Sequence, residues 1–369
     1  MKILHINSYF FSNSLHFQLV KKLSEENVEQ IVYIPLNVND KSVLKGSCDN
    51  VEFHVSKCFS TLSRYIWPLK ILMIYRDLNK KIQDLNVDVI HAHSLFVNGS
   101  IAYLLSKKHK IDFVVTVRNS DINQFMKASK LFRKLGFKIM MSSKKILTLS
   151  YSYFNVHLKR YYNEDDFNDI KSKHEVIPNG AEDVWFDNKH LKTKIDGQLR
   201  IIFVGLLADN KNLDTVIKAC DVLKSQGKDI HLSIIGSGRR SEYFQSLHYN
   251  FDVEFLGYIT DRKELMKIYQ TTHLLCVPSF TESFGLVYVE AMTQSLPVIY
   301  TKGQGFDGFF DDGLYGFAVD PKDEKDIANR INDICQNYES MATNAYKYSD
   351  FFRWDKPVTN LLKSYENGR

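Results

Sequence analysis

Cysteine is scarce in this sequence and is never paired. The 369 residues contain 5 cysteines, spaced far apart and without a CxxC pair. A disulfide framework or a cysteine zinc site needs pairs or clusters of this residue, so the sequence argues against both. We interpret the five side chains as reduced thiols in a cytoplasmic protein.

Long apolar runs free of charge are also missing. No segment approaches the length of about 20 residues that a helix needs to cross a bilayer. The N-terminal segment MKILHINSYFF lacks the basic start, apolar stretch and small-residue cleavage site of a signal peptide. We therefore expect neither a membrane-spanning helix nor a leader.

Acidic residues are absent from one long segment. Residues 122–163 contain 9 lysines and arginines and no aspartate or glutamate. Such a cluster favours an anionic partner, either a membrane surface or a nucleic acid. Because the segment lacks a known nucleic-acid motif, we expect no nucleic-acid partner and favour a membrane surface, to which the protein would attach peripherally.

The same segment carries lysines and apolar residues at helical spacing. The lysines are Lys127, Lys130, Lys134 and Lys138, and the apolar residues beside them are Ala128, Leu131, Leu135 and Ile139. An interfacial amphipathic helix has this pattern. A helix that packs against a core and keeps a solvated basic edge has it equally, so both interpretations stay open.

Strand-like apolar runs alternate with helix-length segments, which is the pattern of βαβ units and parallel sheets. The runs cover 2–6, 31–36, 88–93, 112–117, 145–150 and 175–180, then 200–205, 231–236, 253–257, 273–279 and 296–300. The chain is longer than one compact core usually supports, so each half predicts one Rossmann-like, doubly wound α/β domain. Residues 181–198 show neither helical nor strand periodicity and are the predicted linker.

The most informative segment is VPSFTESFGLVYVEAM, in which a strand ends in a loop and a helix follows. Ligands of open α/β sheets bind beyond the carboxyl ends of strands, and a helix that begins at Gly285 offers N–H groups to a phosphate. Glu282 in the loop is placed to reach a sugar. Glu290 in the helix could accept two hydrogen bonds from a ribose diol. A capped helix with exposed acids is the alternative interpretation.

Three further strand ends carry candidate residues. The segment IIFVGLLADNKN ends a strand at Gly205 and presents Lys211 before a helix, where its charge can hold a diphosphate. The segment HLSIIGSG repeats the pattern of a strand followed by glycine at Gly236. In VEFLGYI, the backbone around Tyr258 could face a base.

Taken in order, these segments resemble the family 4 glycosyltransferases. VIPNG, FVG with KN, IIGSG, FLGYI, PSFTESFG with EAM, and LPVI follow one another as in that family and cover nearly the whole chain. The resemblance implies the GT-B fold, in which two Rossmann-like domains, here 1–180 and 199–348, face each other across a cleft. It also implies that 349–369 form a final helix that crosses back to the first domain.

The resemblance further implies a reaction. A sugar would pass from a UDP- or GDP-linked donor to a glycan or lipid-linked acceptor with retention of configuration, and without a metal ion or other cofactor. Glu282 would contact the donor sugar, Glu290 the ribose and Lys211 the diphosphate. The loop residues expected to complete the donor site are Ser283, Phe284 and Leu286. The Lys, Asn and Ile bias of the composition suggests bacterial surface polysaccharide or glycan synthesis.

The sequence departs from the family pattern in three places. Leu206 stands where an arginine commonly follows the VG strand end. The first loop lacks the usual glycine pair, although Ser12 and Asn13 could still form hydrogen bonds on the acceptor side. In the third place, the T-x-H-G-x-D segment appears as TVRNSD, so an arginine replaces the histidine.

That replacement gives Arg118 a candidate catalytic role, because its charge could face the donor or an anionic acceptor. The neighbouring Asn119 and Asp121 are expected on the acceptor side. A surface arginine paired with Asp121 is the alternative interpretation. Nearby, His91 and His93 alternate on one face of a strand end. Since the sequence shows no third ligand close to them, we expect no metal site and place His93 on the acceptor side.

The departures keep a second class of function open. A glycosyltransferase-like protein could bind a sugar nucleotide, or stabilise a partner enzyme, without catalysis. The presence of Lys211, Glu282 and Glu290 together favours the enzyme over this alternative. Another GT-B enzyme, such as a phosphorylase or an epimerase, is disfavoured by the ordered set of motifs.

Overall fold

The computed structural model describes residues 1–64, 66–82 and 85–366. Contacts between Cα atoms divide the chain into two compact units. The first unit holds residues 1–149, 154–178 and the chain from Trp354 onward, and the second holds 150–153 and 179–353. We refer to them as the first and second domains.

The described residues form thirteen strands and thirteen α-helices. The strands are β1 (Lys2–Ile6), β2 (Glu29–Asn37), β3 (Val51–Phe59), β4 (Val89–Ala92), β5 (Asp112–Thr116), β6 (Lys145–Thr148), β7 (His174–Val176), β8 (Leu199–Val204), β9 (Ile230–Ile235), β10 (Asp252–Gly257), β11 (Leu274–Cys276), β12 (Val298–Thr301) and β13 (Gly316–Val319). The helices are α1 (Leu15–Glu25), α2 (Trp67–Lys81), α3 (Val97–His109), α4 (Lys130–Ser142), α5 (Glu164–Ser172), α6 (Asp183–Asp187), α7 (Leu213–Ser225), α8 (Ser241–Gln245), α9 (Arg262–Thr271), α10 (Leu286–Thr293), α11 (Glu324–Gln336), α12 (Tyr338–Tyr348) and α13 (Asp355–Glu366).

Each domain is built on one parallel sheet. The first sheet has the order β3-β2-β1-β4-β5-β6-β7, and the second has the order β10-β9-β8-β11-β12-β13. All the strand pairs in both sheets are parallel. The chain order reverses beside β1 and beside β8, which is the doubly wound arrangement. The predicted α/β class with two Rossmann-like domains is confirmed.

The central strands are apolar because helices cover both faces of a parallel sheet. Ile3 and Leu4 in β1 are fully buried, as are Ile201, Ile202 and Phe203 in β8. Such strands appear in the sequence as continuous apolar runs, and all eleven predicted runs overlap an observed strand. Two strands were missed, β3 and β13, which lie at the outer edges of their sheets.

The predicted linker, 181–198, is partly structured. It begins with the short helix α6, whose Trp185 and Phe186 are buried. The rest has no helix or strand up to β8, but the Lys192 N–H donates to Ser295 Oγ at 2.7 Å. The whole segment belongs to the second domain, because its aromatic residues supply core packing that the absence of periodicity did not indicate.

The end of the chain belongs to the first domain from Trp354 onward. The apolar face of α13 contributes Val358, Leu361 and Tyr365 to a core that also contains Ile3 of β1. The preceding 3-10 turn, Ser349–Phe352, remains in the second domain. No helix within the described residues is long and apolar enough to cross a bilayer.

The basic stretch of the first domain contains α4, and its two faces differ. Lys127, Lys130, Lys134 and Lys138 are exposed. Ile139 and Met140 are fully buried in the domain core, whereas Leu131 is 75% exposed. Most of the helix therefore packs as a core helix with a solvated basic edge, and only its first turn presents an apolar side chain to solvent.

Candidate functional site

The loop between β11 and α10 is shaped by Gly285. This residue has φ +86° and is the N-cap of α10. A Cβ added here would lie 2.3 Å from the Tyr288 ring, so another residue would clash as well as adopt a strained backbone. Tyr288 is itself fixed, because its hydroxyl donates to the Val277 carbonyl at 2.7 Å. The glycine therefore lets the loop turn sharply into the helix and present the helix N-terminus.

Lys211 and Glu282 lie together beside this loop. The Lys211 Nζ is 2.5 Å from Glu282 Oε2, and the two side chains are 24% and 13% exposed. Gln304 Oε1 accepts a hydrogen bond from the Glu282 N–H at 3.1 Å, and the Glu282 carbonyl accepts one from Gly305 at 2.8 Å. A cation and a carboxylate that are 71 residues apart in sequence are thus fixed at one point.

Asn212 holds the Lys211 loop against the β11 loop, and we did not predict it as a site residue. It lies in the left-handed region at φ +61°. Its Nδ2 donates to the carbonyls of Pro278 and Pro321 at 2.9 and 2.6 Å, and its Oδ1 accepts from Thr215 Oγ1 at 2.7 Å. The KN pair in the sequence was the available signal, because asparagine tolerates this conformation better than most residues.

A cavity of about 340 Å³ lies at the carboxyl ends of β8 and β9. Gly205, Gly236, Tyr258 and Glu290 line it together with Leu206. A Cβ on Gly236 would lie 1.9 Å from the Gly205 carbonyl oxygen, so the two strand ends touch through their backbones. Part of the cavity wall is therefore main chain, which can approach a flat ligand closely.

The polar end of this cavity holds Glu290 and Arg262. Burial raises the pKa of Glu290 to about 7, while Arg262 opposes the shift and Glu182 adds to it. Arg262 donates to both carboxylate oxygens of Glu182 at 3.2 Å. Arg262 was not predicted, because an arginine after the GYITD turn carries no recognisable pattern. It places a cation in the cavity although Leu206 replaces the expected arginine.

The three remaining loop residues differ in what they can offer. Ser283 and Leu286 are partly exposed, and the Ser283 N–H donates to Glu282 Oε1 at 3.2 Å. Phe284 is 2% exposed and packs against Phe306 and Phe352. Its side chain is therefore a core residue and not a ligand contact, so the prediction for Phe284 can apply only to its backbone.

The TVRNSD segment in the first domain is held in place by hydrogen bonds to its own Asp121 side chain. Asp121 is buried, and its carboxylate accepts from the N–H groups of Leu95 at 2.9 Å, Phe96 at 3.4 Å and Arg118 at 2.8 Å. Burial raises its pKa to about 6 against these hydrogen bonds. Asp121 thus ties the loop after β5 to the start of α3, which corrects its predicted position among acceptor contacts.

Arg118 is not a surface residue paired with Asp121. Its Nε donates to the His93 carbonyl at 3.1 Å. Burial lowers the pKa of Arg118 to about 10, with Asp121 and Tyr9 opposing the shift. A guanidinium of this kind remains charged at neutral pH, so the alternative of a solvated surface pair is wrong. Its catalytic role stays a prediction.

The other predicted residues of the first domain fall into two settings. Ser12 and Asn13 are exposed, and Asn13 Oδ1 accepts from the Leu15 N–H at 3.1 Å at the start of α1. Asn119 is partly buried and accepts from Asn123 Nδ2. His93 is buried, so only the first three have side chains within reach of a ligand in solution.

His93 belongs to a group of buried imidazoles that the sequence did not predict. His5 of β1 lies opposite His91 of β4, and ring nitrogens of His5, His91 and His93 lie within 4.8 Å of one another. A third imidazole is therefore present, contrary to the expectation. His5 Nδ1 and His93 Nε2 are 3.0 Å apart, while His91 contacts Tyr365 at 2.7 Å and Thr116 at 2.8 Å. Burial lowers the pKa of both His91 and His93, so the rings are neutral.

The second domain thus collects one set of groups with complementary chemistry. Lys211 and the N-terminus of α10 offer positive charge to an anion. Glu282 and Glu290 offer carboxylate oxygens to hydroxyl groups, which they bind as paired acceptors. A molecule with a diphosphate between two polyhydroxylated parts would match this set.

Sequence models of two families match the chain. The model described as "Glycosyl transferases group 1" matches residues 186–349, and the one described as "Glycosyl transferase 4-like" matches 4–151. Among curated proteins, an uncharacterized glycosyltransferase of Methanocaldococcus jannaschii is 29% identical over 294 residues, which are 77% of each chain. The match to the group 1 model lies in the second domain, and the match to the 4-like model begins in the first domain and covers most of it.

Solved structures resemble the chain over nearly its full length. Sucrose-phosphate synthase from Thermosynechococcus elongatus has a TM-score of 0.76 at 17% identity and covers 99% of this chain and 98% of its own. HepE from Anabaena, in complex with UDP-glucose, has a TM-score of 0.66 at 17% identity and covers 99% and 100%. At such identities the likeness shows the fold alone.

Proposed function

This chain belongs to the group 1 and family 4-like glycosyltransferases, and from that membership we propose that it moves a sugar from a UDP- or GDP-linked donor to a glycan or lipid-linked acceptor. The anomeric configuration is retained. The reaction serves bacterial surface polysaccharide or glycan synthesis. The observation that carries the proposal is the 2.5 Å approach of Lys211 to Glu282 beside the N-terminus of α10.

The proposed chemistry is electrostatic. As the bond from the anomeric carbon to the phosphate oxygen breaks, negative charge grows on the leaving diphosphate. Lys211 and the N–H groups at the start of α10 stabilise that charge. The acceptor oxygen bonds to the anomeric carbon, and its proton passes to the leaving phosphate oxygen. Because these groups supply the positive charge, the proposal requires no metal ion.

The rest of the donor is bound by the cavity below the loop. Glu290 accepts hydrogen bonds from the ribose, and the base lies against the backbone at Gly236 and Tyr258. Glu282 binds a hydroxyl of the donor sugar and is released from Lys211 when the diphosphate arrives. Arg262 lines the same cavity and adds a cation toward the base or ribose. HepE, which has the same fold, was solved with UDP-glucose, so a UDP-linked sugar is the first donor to test.

A panel of nucleotide sugars tests the proposal. We expect one UDP- or GDP-linked sugar to raise the melting temperature of the wild-type protein and to yield nucleoside diphosphate in the presence of a membrane extract. The other nucleotides serve as controls. Stabilisation without release, with any extract, would favour the catalytically silent binding protein. No stabilisation by any donor would contradict the site assignment.

The proposal places the first domain against the inner face of an anionic membrane. Its support is the row of exposed lysines on and before α4, with the exposed Leu131 among them. Each lysine near such a surface contributes about 1 kcal/mol. Arg133 is not part of this row, because its Nε donates to the Met126 carbonyl at 2.8 Å.

Vesicle partitioning measures this attachment. We expect the quadruple substitution of Lys127, Lys130, Lys134 and Lys138 by glutamine to weaken binding to phosphatidylglycerol vesicles on the order of a thousandfold. The charge-matched control changes Lys218, Lys263, Lys267 and Lys325, which are exposed on the second domain. Equal loss in both variants would mean that net charge, not the α4 row, governs binding and would contradict the proposed surface.

A further inference from the structure

The first domain contains a second cavity, separate from the donor residues. It has a volume of about 570 Å³ and lies at the carboxyl ends of β1, β2 and β3. Its wall is formed by five aromatic residues, Tyr9, Phe59, Trp67, Phe125 and Phe132. We call this cavity the aromatic pocket. Its volume lies in the range of about 300–1,000 Å³ that small-molecule sites occupy.

The aromatic wall is held in place by its own contacts. Trp67, in the first turn of α2, meets Phe132 of α4 edge to face with ring centroids 5.6 Å apart. Phe132 meets Phe125 in the same way at 5.2 Å. Packed rings of this kind form a rigid surface. A hexopyranose presents C–H groups on its ring faces, and these pack against aromatic faces, whereas its hydroxyl groups point outward from the ring edge.

The pocket also contains the polar groups that such hydroxyls need. Asn37, Asp40, Lys70 and Gln124 line it. The Trp67 Nε1 is buried and has no hydrogen-bond partner among the described residues. A buried N–H without a partner is costly, so it favours a ligand that brings a hydroxyl acceptor. An acyl chain in the pocket would leave this N–H unpaired.

Apolar side chains are exposed beside the pocket. Ile66, Leu69 and Leu72, at the start of α2, are 55%, 42% and 41% exposed, and Leu131 of α4 is 75% exposed. Of these, Ile66 and Leu131 lie beside the pocket, because each directly precedes a residue of its wall, Trp67 and Phe132, which contact each other. Grouped exposed apolar residues mark an interaction surface. The lysines of the α4 row add positive charge, which complements an anionic lipid surface.

We propose that the aromatic pocket binds the terminal sugar of a lipid-linked acceptor, with the lipid directed toward the exposed residues of α2 and α4. The inference rests on the proposed function, since it names the acceptor of the same reaction. A free saccharide would fill the pocket but leave the apolar residues in water. A lipid without a sugar would cover those residues but leave the polar groups of the pocket unused.

Calorimetric titration of the full chain tests this assignment without any donor. The probes are octyl glucopyranoside, galactopyranoside and mannopyranoside below their micellar concentrations, the three methyl glycosides, and octyl tetraethylene glycol ether. We expect at least one octyl hexoside to bind about tenfold more tightly than both its methyl counterpart and the ether. Equal affinity of the methyl glycoside would make the acceptor a free saccharide. Equal affinity of the ether, or no binding of any octyl hexoside, would overturn the sugar assignment.

The Trp67→Phe variant probes the N–H alone, because it keeps an aromatic ring on the pocket wall. We expect it to weaken octyl hexoside binding about fivefold or more and to leave the ether unchanged. Lys80→Met, at the exposed far end of the same helix, is the control. A uniform loss for all probes would mean general damage to the pocket wall and would contradict hydroxyl recognition by Trp67. Since no donor is used, a chain that rejects every nucleotide sugar would still give an interpretable result.

Discussion

Lys211→Met is expected to lower the rate of sugar transfer by about 10²- to 10³-fold, the loss usually seen when one group that stabilises transition-state charge is removed. Methionine keeps the length and apolar stem of lysine, so the loop shape is retained. The substitution removes the Lys211 ammonium, the cation nearest to the leaving diphosphate, while the N-terminus of α10 remains. Release of nucleoside diphosphate at saturating donor measures the effect. Lys218→Met, an exposed site on α7, is the matched control.

A double-mutant cycle separates this role from a structural one. If the ion pair with Glu282 served stability alone, Lys211→Met and Glu282→Gln would each lower the melting temperature, and the double variant would recover part of the loss. We expect instead large losses of turnover in both single variants that the double variant does not recover. The two side chains are mostly buried, at 24% and 13% exposed, so the single variants also lose some stability, and turnover is the measurement that separates the two roles. Unchanged turnover in Lys211→Met would remove the main support for the mechanism.

Glu290→Gln is expected to make the protein more stable at pH 8 while weakening donor binding. The pKa of Glu290 is raised to about 7 from an ordinary value of 4.5, so the folded state prefers the protonated carboxyl. This preference contributes stability that is fully present below about pH 4.5 and is lost as the pH rises through 7. The variant removes the loss, which amounts to about 3 kcal/mol at pH 8.

The measurement compares the free energy of unfolding of wild type and variant between pH 5 and pH 8. The difference between them should grow with pH, and the affinity for the stabilising donor should fall about tenfold at pH 8 because a paired ribose acceptor is lost. Glu264→Gln, at an exposed position of α9, should change neither. A variant that is less stable at pH 8, or that binds donor as well as wild type, would refute the ribose assignment.

The central strands and two of the four edge strands could be predicted from the sequence, whereas the edge strands β3 and β13 could not. Strands covered on both faces, such as β1 and β8, appear as mostly apolar runs. The edge strand β3 alternates instead, as VEFHVSKCF, and much of it is only partly buried. The other missed strand, β13, has four residues and begins with glycine. A search for apolar runs finds strands that are covered on both faces, and it misses an alternating strand such as β3 or a very short one such as β13.

The residues of the candidate site also divide into those that the sequence indicated and those that it did not. Sequence order indicated Lys211, Glu282 and Glu290, because each follows a strand end. It could not show that Phe284 points into the core, since a loop phenylalanine between a serine and a glycine has no periodicity that indicates the direction of its side chain. Nor could it indicate Arg262, whose position in the cavity depends on how α9 packs.

The cluster of buried histidines and the buried Asp121 carboxylate of the first domain could not be predicted from local sequence patterns, for another reason. His5 and His91 are paired across neighbouring strands although 86 residues separate them. Asp121 accepts hydrogen bonds from backbone groups 25 and 26 residues away. Contacts of this kind depend on strand register and loop closure, which no single window of sequence contains.

The last helix has a consequence for how the protein is made. Trp354, Val358, Leu361 and Tyr365 complete the first-domain core around Ile3, and the Lys144 Nζ donates to the Tyr365 carbonyl at 2.7 Å. A ribosome that adds about 5–20 residues per second needs roughly 10 to 35 s to pass from the last strand of the first domain to these residues. Throughout that interval the nascent first domain has an uncovered apolar face. The domain that is synthesised first therefore receives the last element of its core only after the whole of the second domain has been synthesised.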